Sequence, residues 1–361
     1  MSTVDRDESE RDAQNGTETA ADAQNGTETR ADEPGTERLQ LVEAITDALA
    51  TEMETDDSVV VLGEDVGKNG GVFRATDGLY ERFGADRVID TPLAESAIVG
   101  SAIGLALSGL RPVAEMQFMG FLAPAYDQLV SHAARMRSRS QGQYTVPLVV
   151  RAPYGGGIRA PEHHSESKEA PYVHEPGLKV VCPSTPADAK GLLTAAIRDP
   201  DPVVFLEPKA LYRAFREPVP TGSHTVSLSE AAVRRAGTDV TVYSWGAMTR
   251  PSLLAADHLA AEYDVSVEVV DLRTLSPLDR ETIVDSFRKT GRAVVVHEAP
   301  KTAGVGAEVS AMIQEAALYY QEAPIERVAG FDAPVPLGAL EDYYLPGAVR
   351  IQDAVLSVLD P

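Results

Sequence analysis

Short apolar runs of strand length alternate with stretches of helical periodicity over most of the chain. Runs such as Val59-Val60-Val61-Leu62-Gly63 are typical of strands buried on both faces of a parallel sheet. The pattern predicts strands at 59–63, 87–90, 111–118, 147–151, 179–183, 203–207, 240–245, 266–270, 293–297 and 326–329. It predicts helices at 39–53, 77–83, 95–108, 124–138, 187–198, 249–263, 277–288, 304–320 and 347–358. Such alternation favours an α/β fold with parallel sheets and crossover helices.

The order of these elements divides the chain into two α/β domains, at 38–216 and 228–361. Residues 217–227 are rich in Pro, Gly, Ser and Thr and are predicted to be a linker. Residues 1–37 are predicted to be a disordered acidic tail, because they hold 11 acids, three Arg and few large apolar side chains. An octapeptide in this tail occurs at 12–19 and again at 22–29.

The chain carries a formal net charge of −23, from 55 acidic and 32 basic side chains. This charge argues against a nucleic-acid partner, since phosphate contacts need Lys and Arg. Only seven of the basic residues are Lys, and 25 are Arg. Many acids and few Lys favour a halophile protein, whose self-repulsion is screened by concentrated salt. The alternative is an acidic cytosolic protein without salt adaptation.

The sequence also predicts the cellular compartment of the protein and its relation to membranes. The single cysteine, Cys182, excludes a disulfide within the chain and is typical of a reducing interior. The longest apolar run, 98–110, is too short and too rich in Gly and Ser to cross a bilayer. No basic region followed by an apolar region marks a secretory signal. We therefore expect a cytoplasmic protein with no membrane partner.

Glu95 is the first candidate for chemistry. A strand, 87–90, runs into a Pro-containing turn that brings Glu95 to the first turn of helix 95–108. After Glu95 this helix carries no charged residue, which predicts that it is buried. A buried carboxylate must be paired, be protonated or bind a ligand. The alternative is a solvated acid that is stabilised by the helix dipole.

Other candidates follow predicted strands of the same domain. Gln117 lies near the end of strand 111–118 and Phe121 follows that strand, and His163 and His164 follow the glycine loop after strand 147–151. Ligands bind at the carboxyl ends of strands in open α/β sheets, so the histidine pair favours catalysis or ligand binding over a surface loop. Its spacing lacks the pattern of common zinc sites. The sequence contains no P-loop, dinucleotide fingerprint or nucleophile elbow.

Residues 38–361 resemble the beta subunits of thiamine-diphosphate-dependent 2-oxoacid dehydrogenases, the family of pyruvate and branched-chain 2-oxoacid dehydrogenases. The resemblance rests on phrases that occur in the family's order: Gly63-Glu64-Asp65-Val66-Gly67, Asp90-Thr91-Pro92-Leu93-Ala94-Glu95, Gly109-Leu110-Arg111-Pro112-Val113, Ala125-Tyr126-Asp127-Gln128, His164-Ser165, Pro176-Gly177-Leu178-Lys179-Val180-Val181 and Asp188-Ala189-Lys190-Gly191-Leu192. It implies a parallel-sheet pyrimidine-binding domain followed by a transketolase C-terminal-like α/β domain.

The resemblance also implies roles for particular residues. Glu95 matches the family's glutamate, which bonds a ring nitrogen of the cofactor's aminopyrimidine. Leu93, Gln117 and Phe121 match positions of the same cofactor pocket. His164 matches a histidine implicated as a proton donor when the acyl group passes to lipoate, whereas His163 lies where relatives vary. A structural potassium site is implied through Leu148, Ala196, Ile197, Asp199 and Asp201.

One family motif is missing from this chain. Thiamine-diphosphate enzymes bind magnesium and the diphosphate through Gly-Asp-Gly with a later Asn, and Thr76-Asp77-Gly78 does not match it. The resemblance therefore implies that an alpha subunit holds the magnesium and the diphosphate, in an α2β2 heterotetramer. It further implies a lipoyl acyltransferase core as partner and a small 2-oxo acid as substrate, for an oxidoreductase of the lipoyl-dependent acyl-transferring class.

Two other functions stay open from the sequence. The first alternative keeps the cofactor and changes the reaction: the chain would be half of a split transketolase or deoxyxylulose-phosphate synthase. Those enzymes act on phosphorylated sugars. A non-catalytic assembly subunit of the same fold is the second alternative. The sequence does not choose between pyruvate and a branched-chain 2-oxo acid as substrate.

Overall fold

A computed structural model of the protein describes residues 35–360. Most of the predicted tail, 1–37, lies outside this range, and its residues Thr36 and Glu37 belong to the first strand. The strands are β1 (Thr36–Leu39), β2 (Val59–Gly63), β3 (Val88–Asp90), β4 (Arg111–Glu115), β5 (Val149–Tyr154), β6 (Lys179–Val181), β7 (Val203–Pro208), β8 (Glu217–Pro220), β9 (Ala232–Arg235), β10 (Val240–Ser244), β11 (Val267–Asp271), β12 (Thr274–Ser276), β13 (Ala293–Pro300) and β14 (Glu326–Gly330).

The helices alternate with these strands, as predicted. They are α1 (Leu41–Thr55), α2 (Leu79–Phe83), α3 (Glu95–Leu107), α4 (Met136–Arg139), α5 (Ala170–Val173), α6 (Pro186–Arg198), α7 (Thr249–Tyr263), α8 (Arg280–Thr290), α9 (Val305–Ala317), α10 (Glu341–Tyr344) and α11 (Ala348–Leu359). Thr185 caps α6 by accepting a hydrogen bond from the Asp188 amide, and Pro186 occupies the first turn.

The first domain is built on a seven-stranded sheet in the order β12-β6-β7-β5-β4-β2-β3 within the described residues. Its strands β2 to β7 run parallel, which confirms the parallel sheet predicted from the apolar runs. Helices α1 and α6 pack against each other on one face, where Leu49 and Leu192 share a core. Helix α3 covers the other face through Ile98 and Val99. The sheet is therefore buried on both faces.

The second domain holds a five-stranded sheet in the order β14-β13-β10-β11-β9 within residues 35–360. Successive residues of β13 point to opposite faces, as the strand period of two requires. Val294 packs into the core that contains α7 and α11, and Val295 into the core that contains α8 and α9. The alternating pattern of the second half of the chain is confirmed.

Two short strands pair with strands that lie far from them in the sequence. Strand β12 follows β11 of the second domain but pairs antiparallel with β6 of the first. Strand β8 pairs antiparallel with β1, so the segment predicted as linker 217–227 begins inside a two-stranded sheet. Because such short edge strands lack an apolar run, periodicity alone did not indicate them.

The predicted helix 124–138 is the clearest difference in secondary structure. The chain forms a 3₁₀ helix at Met119–Ala125, a π-helix at Gln128–Ala133 and then α4. Pro124 lies inside the first of these, but it is also the first residue of the predicted helix, where proline is tolerated. Both irregular segments pack against α3. The irregular segment carries Phe121 along the carboxyl edge of the sheet.

Candidate active site

The carboxyl ends of β2, β3 and β4 meet at one edge of the first sheet. The register places Gly63 opposite both Asp90 and Glu115. The turn after β3 is tied to the loop after β2, because the Gly67 amide donates to Asp90 Oδ1 at 2.6 Å and the Thr91 amide to the Gly63 carbonyl at 2.9 Å. These bonds fix the start of α3 at this edge, where open α/β sheets bind ligands.

Glu95 is the first residue of α3 and is half-buried there. Its carboxylate has no hydrogen-bond or ion-pair partner among residues 35–360, which contrasts with most acids of the sheet. Burial and, second, the charge of Glu95 raise the pKa of the nearby Glu64 carboxyl. Neither carboxyl has a cationic partner among residues 35–360, so both are open to a hydrogen-bond donor from a ligand.

An aromatic cluster lies next to this edge. The ring centroids of Phe118 and Phe121 are 5.5 Å apart, and the His164 imidazole lies 4.3 Å from Phe118 and 5.3 Å from Phe121. The His164 Nδ1 atom is buried and has no hydrogen-bond partner in the described chain. His163 is exposed. A side chain at Gly120 would collide with the His163 carbonyl, so this glycine permits the close approach of the two segments.

The remaining predicted cofactor residues differ in exposure. Gln117 is half-buried between Met116 and Phe118, and it follows directly from β4. Leu93 is 77% exposed in the turn before α3, although Leu is ordinarily buried. The structure therefore brings Gln117, Phe121 and His164 to one edge with Glu95, and it leaves Leu93 uncovered by the chain itself.

Comparison with known proteins places this geometry in a family. Residues 37–214 match the pyrimidine binding domain of transketolase, and residues 229–351 match the transketolase C-terminal domain. The pyruvate dehydrogenase E1 beta subunit of Acholeplasma laidlawii is 54% identical over 87% of this chain and 95% of its own length. The corresponding subunit of Bacillus subtilis is 52% identical over 90% of this chain and 99% of its own.

The chain belongs to the beta subunits of the 2-oxoacid dehydrogenases. A third relative, the 3-methyl-2-oxobutanoate dehydrogenase beta subunit of Mycobacterium tuberculosis, is 52% identical over 90% of this chain and 93% of its own. Among solved structures, a split-gene transketolase described as an inactive beta4 tetramer is similar with a TM-score of 0.71 and 25% identity, over 89% of this chain and 98% of the other. The predicted fold class and family are confirmed.

The residues of this beta subunit fit the aminopyrimidine end of thiamine diphosphate. The fit rests on the unpartnered Glu95 carboxylate and on two buried polar atoms that lack partners in the described chain, Thr91 Oγ1 and His164 Nδ1. No group of three or more His, Cys, Asp or Glu within residues 35–360 could hold a metal ion. The assignment of cofactor contacts to Leu93, Gln117 and Phe121 stays a prediction.

A buried ion-pair network lies behind the site and was not predicted. Arg151 of β5 bonds the Glu207 carboxylate at 2.6 and 2.9 Å and also pairs with Glu115. The Tyr212 hydroxyl donates to Glu207. Burial tends to lower the pKa of Arg151, but the two carboxylates outweigh it and raise this pKa, so the arginine stays charged. The available signal was a charged residue in each of three otherwise apolar strands.

The potassium prediction finds no support in the local contacts. The positions implied by the resemblance are Leu148, Ala196, Ile197, Asp199 and Asp201. Asp199 Oδ1 accepts a hydrogen bond from Lys179 Nζ at 2.6 Å. Asp201 Oδ1 accepts one from Arg137 Nε, also at 2.6 Å. The resemblance implies potassium binding largely through backbone oxygens, which these side-chain hydrogen bonds do not test, so the potassium site stays a prediction.

A second acidic cluster, between the two domains, was also missed. Glu169 of the first domain is fully buried, and its Oε1 accepts a hydrogen bond from Trp245 Nε1 at 3.2 Å. Burial, assisted by the charge of Glu298, raises the pKa of Glu169 to about 7. Burial likewise raises the pKa of Glu298 and lowers that of Lys209 to about 8. No sequence pattern brought these residues together.

One further prediction concerned membranes. None of the helices within residues 35–360 has the length and apolar character needed to span a bilayer.

Proposed function

We propose that this beta subunit acts with an alpha subunit to decarboxylate a 2-oxo acid and to pass the acyl group to lipoyl groups of an acyltransferase core. The observation that carries the proposal is the Glu95 carboxylate, which is half-buried at the carboxyl edge and unpartnered within residues 35–360. The relatives of 52–54% identity are named as beta subunits of such dehydrogenases. Lipoyl-dependent oxidative decarboxylation agrees with both observations.

When bound, thiamine diphosphate supplies the electron sink that decarboxylation requires. Glu95 holds a proton between its carboxylate and a ring nitrogen of the aminopyrimidine, and this role needs a carboxyl free of competing partners. Burial and the charge of Glu95 raise the pKa of the neighbouring Glu64 carboxyl. Phe121 packs against the aminopyrimidine, and Gln117 and Leu93 complete this half of the pocket and exclude water.

His164 serves the second half of the reaction as a proton donor. Phe118 and Phe121 hold its imidazole edge-on, at 4.3 and 5.3 Å between ring centroids. The unpartnered Nδ1 leaves one ring nitrogen available to a ligand. A proton from this ring is delivered to the lipoyl group as the acyl group is transferred.

The alpha subunit supplies the other half of the site in an α2β2 heterotetramer. It holds the magnesium and the diphosphate, because the Gly-Asp-Gly motif with a later Asn is missing from this chain. The 77% exposure of Leu93 fits a position that the cofactor and the alpha subunit cover together. The acyltransferase core docks on the C-terminal domains of the assembled enzyme.

The substrate is pyruvate or a branched-chain 2-oxo acid. The Bacillus subtilis relative carries the first name and the Mycobacterium tuberculosis relative the second, and each is 52% identical to this chain. Overall identity therefore does not separate the two substrates, and the acyl pocket is shared with the alpha subunit.

The test is co-expression with the alpha subunit at high salt, followed by a dye-linked assay of carbon–carbon bond cleavage, which for the 2-oxo acids is decarboxylation. The substrates are pyruvate, 2-oxobutyrate, branched-chain 2-oxo acids, acetoin and a ketose phosphate. We expect turnover of at least one 2-oxo acid and none of the ketose phosphate. Turnover of the ketose phosphate and of no 2-oxo acid would establish a split transketolase. The solved split-gene transketolase is 25% identical to this chain, whereas the dehydrogenase relatives are 52–54% identical. If the assembled enzyme is inactive with every substrate of the panel, the result would favour a non-catalytic assembly subunit.

A further inference from the structure

The loop that carries His164 is bounded by buried acids of the other domain. This loop, residues 155–167, leaves β5 and is closed on itself by the Gly155 amide, which donates to the Glu166 carbonyl at 3.0 Å. Glu298 of β13 and Glu341 of α10 are 5% and 0% exposed, and both belong to the C-terminal domain. No role for these two carboxylates follows from the cofactor site described above.

Glu298 is bonded to both ends of the loop. Its Oε2 accepts a hydrogen bond from the Gly156 amide at 2.9 Å and one from the Ser167 hydroxyl at 3.3 Å. Lys209 lies beside it and donates to the Gly155 carbonyl. A buried carboxylate that accepts two bonds from one loop fixes the distance between the ends of that loop.

Glu341 holds the middle of the loop. Its Oε2 accepts a hydrogen bond from the Arg159 amide at 2.7 Å, while the neighbouring Asp342 pairs with the Arg159 guanidinium at 2.7 Å. The backbone of Arg159 has a φ of 53°, a left-handed conformation that is costly for a residue with a side chain. The bond to Glu341 offsets this cost.

The glycines of the loop are a second observation that its backbone packs closely against the two carboxylates. A side chain at Gly155 would place its Cβ 2.5 Å from Glu298 Oε2, and one at Gly156 would lie 2.9 Å from Glu341 Oε1. Gly157 approaches Ala210 in the same way, at 2.7 Å. Consecutive glycines are therefore needed for the loop backbone to reach the two carboxylates.

We propose that Glu298 and Glu341 are positioning residues, which hold the 155–167 loop so that His164 faces the acyl group and the lipoyl group. The proposal rests on the proposed function of His164. It makes the C-terminal domain part of the catalytic machinery of the first domain, through hydrogen bonds to backbone and hydroxyl groups and without contact to a substrate.

The first experiment compares two activities of the assembled α2β2 enzyme. We expect Glu298→Ala to lower the rate of lipoyl acylation at least tenfold relative to dye-linked decarboxylation, as His164→Ala does. Glu298→Gln keeps a carbonyl oxygen that accepts the Gly156 and Ser167 hydrogen bonds, so it recovers most of the rate. Glu268→Ala is the control, because Glu268 is a buried acid of the same sheet that pairs with Lys289 and lies away from the loop.

A double-mutant cycle distinguishes positioning from a general structural role. If Glu298 acts through His164, Glu298→Ala causes no further loss of lipoyl acylation in a His164→Ala background. Losses that multiply in the double variant would overturn the proposal. An unchanged ratio of the two activities in both Glu298→Ala and Glu341→Ala would overturn it as well.

Hydrogen exchange of the assembled enzyme tests the same proposal without an activity. Peptides that cover 155–167 are expected to exchange at least tenfold faster in Glu298→Ala and Glu341→Ala than in the wild-type and Glu268→Ala enzymes. Equal exchange in all four proteins would contradict the proposal. A wild-type enzyme inactive with every 2-oxo acid would instead refute the proposed function, and the exchange result would then still decide whether the loop is held.

Discussion

Acidic residues at or just beyond strand ends of the first sheet have two different environments in this protein. Glu115 and Glu207, at the ends of β4 and β7, are buried and both pair with Arg151. Glu95 lies a few residues beyond the end of β3, is half-buried, and has no such partner in the described chain. The sheet thus pairs Glu115 and Glu207 in its core, whereas Glu95 and the neighbouring Glu64 have no partner among residues 35–360. A half-buried carboxylate left unpaired where other acids of the sheet are paired is a candidate for binding a ligand.

The largest effect is expected from Glu95→Gln in the reconstituted heterotetramer. The amide keeps the shape of the side chain but cannot share a proton as a carboxyl does. We expect decarboxylation to fall by about 10²–10⁴-fold, the range of general acid–base contributions. The melting temperature is expected to stay within about 1 °C, because no residue of the described chain loses a partner.

Unchanged decarboxylation in Glu95→Gln would refute the catalytic role and favour an assembly subunit. A large loss of stability would show that Glu95 belongs with the structural acids, and the comparison with Glu115 would then fail.

Arg151→Met tests the paired acids of the sheet, because it removes the cation that pairs with Glu115 and Glu207. We expect it to lower stability. It leaves the carboxylates of Glu115 and Glu207 buried without their cation, which costs about 3–5 kcal/mol of unfolding free energy. Denaturant unfolding measures the loss. The matched control is Arg82→Met, which breaks an exposed pair with Glu54 and is expected to cost less than about 1 kcal/mol because solvent screens that pair. Equal effects of the two substitutions would contradict the assignment of the network as structural.

Glu169 is an intermediate case, a buried acid whose partner, Trp245, is neutral. Its pKa is raised from 4.5 to about 7, so the folded state binds a proton more readily than the unfolded state does. Its contribution to stability is therefore complete below pH 4.5 and is lost as the pH rises to about 7, by roughly 3 kcal/mol at 1.36 kcal/mol per pH unit.

Glu169→Gln mimics the protonated carboxyl and keeps the acceptor for Trp245. We expect the unfolding free energy of this variant to exceed that of the wild type increasingly between about pH 4.5 and 7. Urea titrations at several pH values measure the difference, with the exposed Glu315→Gln as control. Parallel pH curves for Glu169→Gln and the wild type would contradict the raised pKa.

The smallest effect concerns the exposed acids as a group, whose charges are largely screened by solvent and salt. With a net charge of −23, the folded chain repels itself more strongly when salt is dilute. Raising KCl from about 0.1 M to about 1 M shortens the screening length from about 10 Å to about 3 Å, so we expect the melting temperature to rise by several degrees. A melting temperature independent of salt would contradict the halophile interpretation.

The strands and helices were largely predictable because local pattern decides them. Val59–Gly63 and Thr249–Tyr263 begin and end where periodicity placed them. Strand β12 was not predictable, since its three residues carry no period and are held by β6, far away in the sequence. The irregular segment after β4 was missed for a related reason, because its packing against α3 overrides the regular helical pattern.

The order of most strands and helices, the family, and the candidates Glu95 and His164 can be read from the sequence, because they follow from short-range patterns and motifs. The pairing of the acids depends on the fold. Arg151 reaches Glu207 across 56 residues of chain, and Glu298 reaches Gly156 across 142. Whether a carboxylate is paired depends on groups brought together by folding, and for that reason only the fold distinguishes the acids that pair within this subunit from Glu95, whose contact with the cofactor stays a prediction.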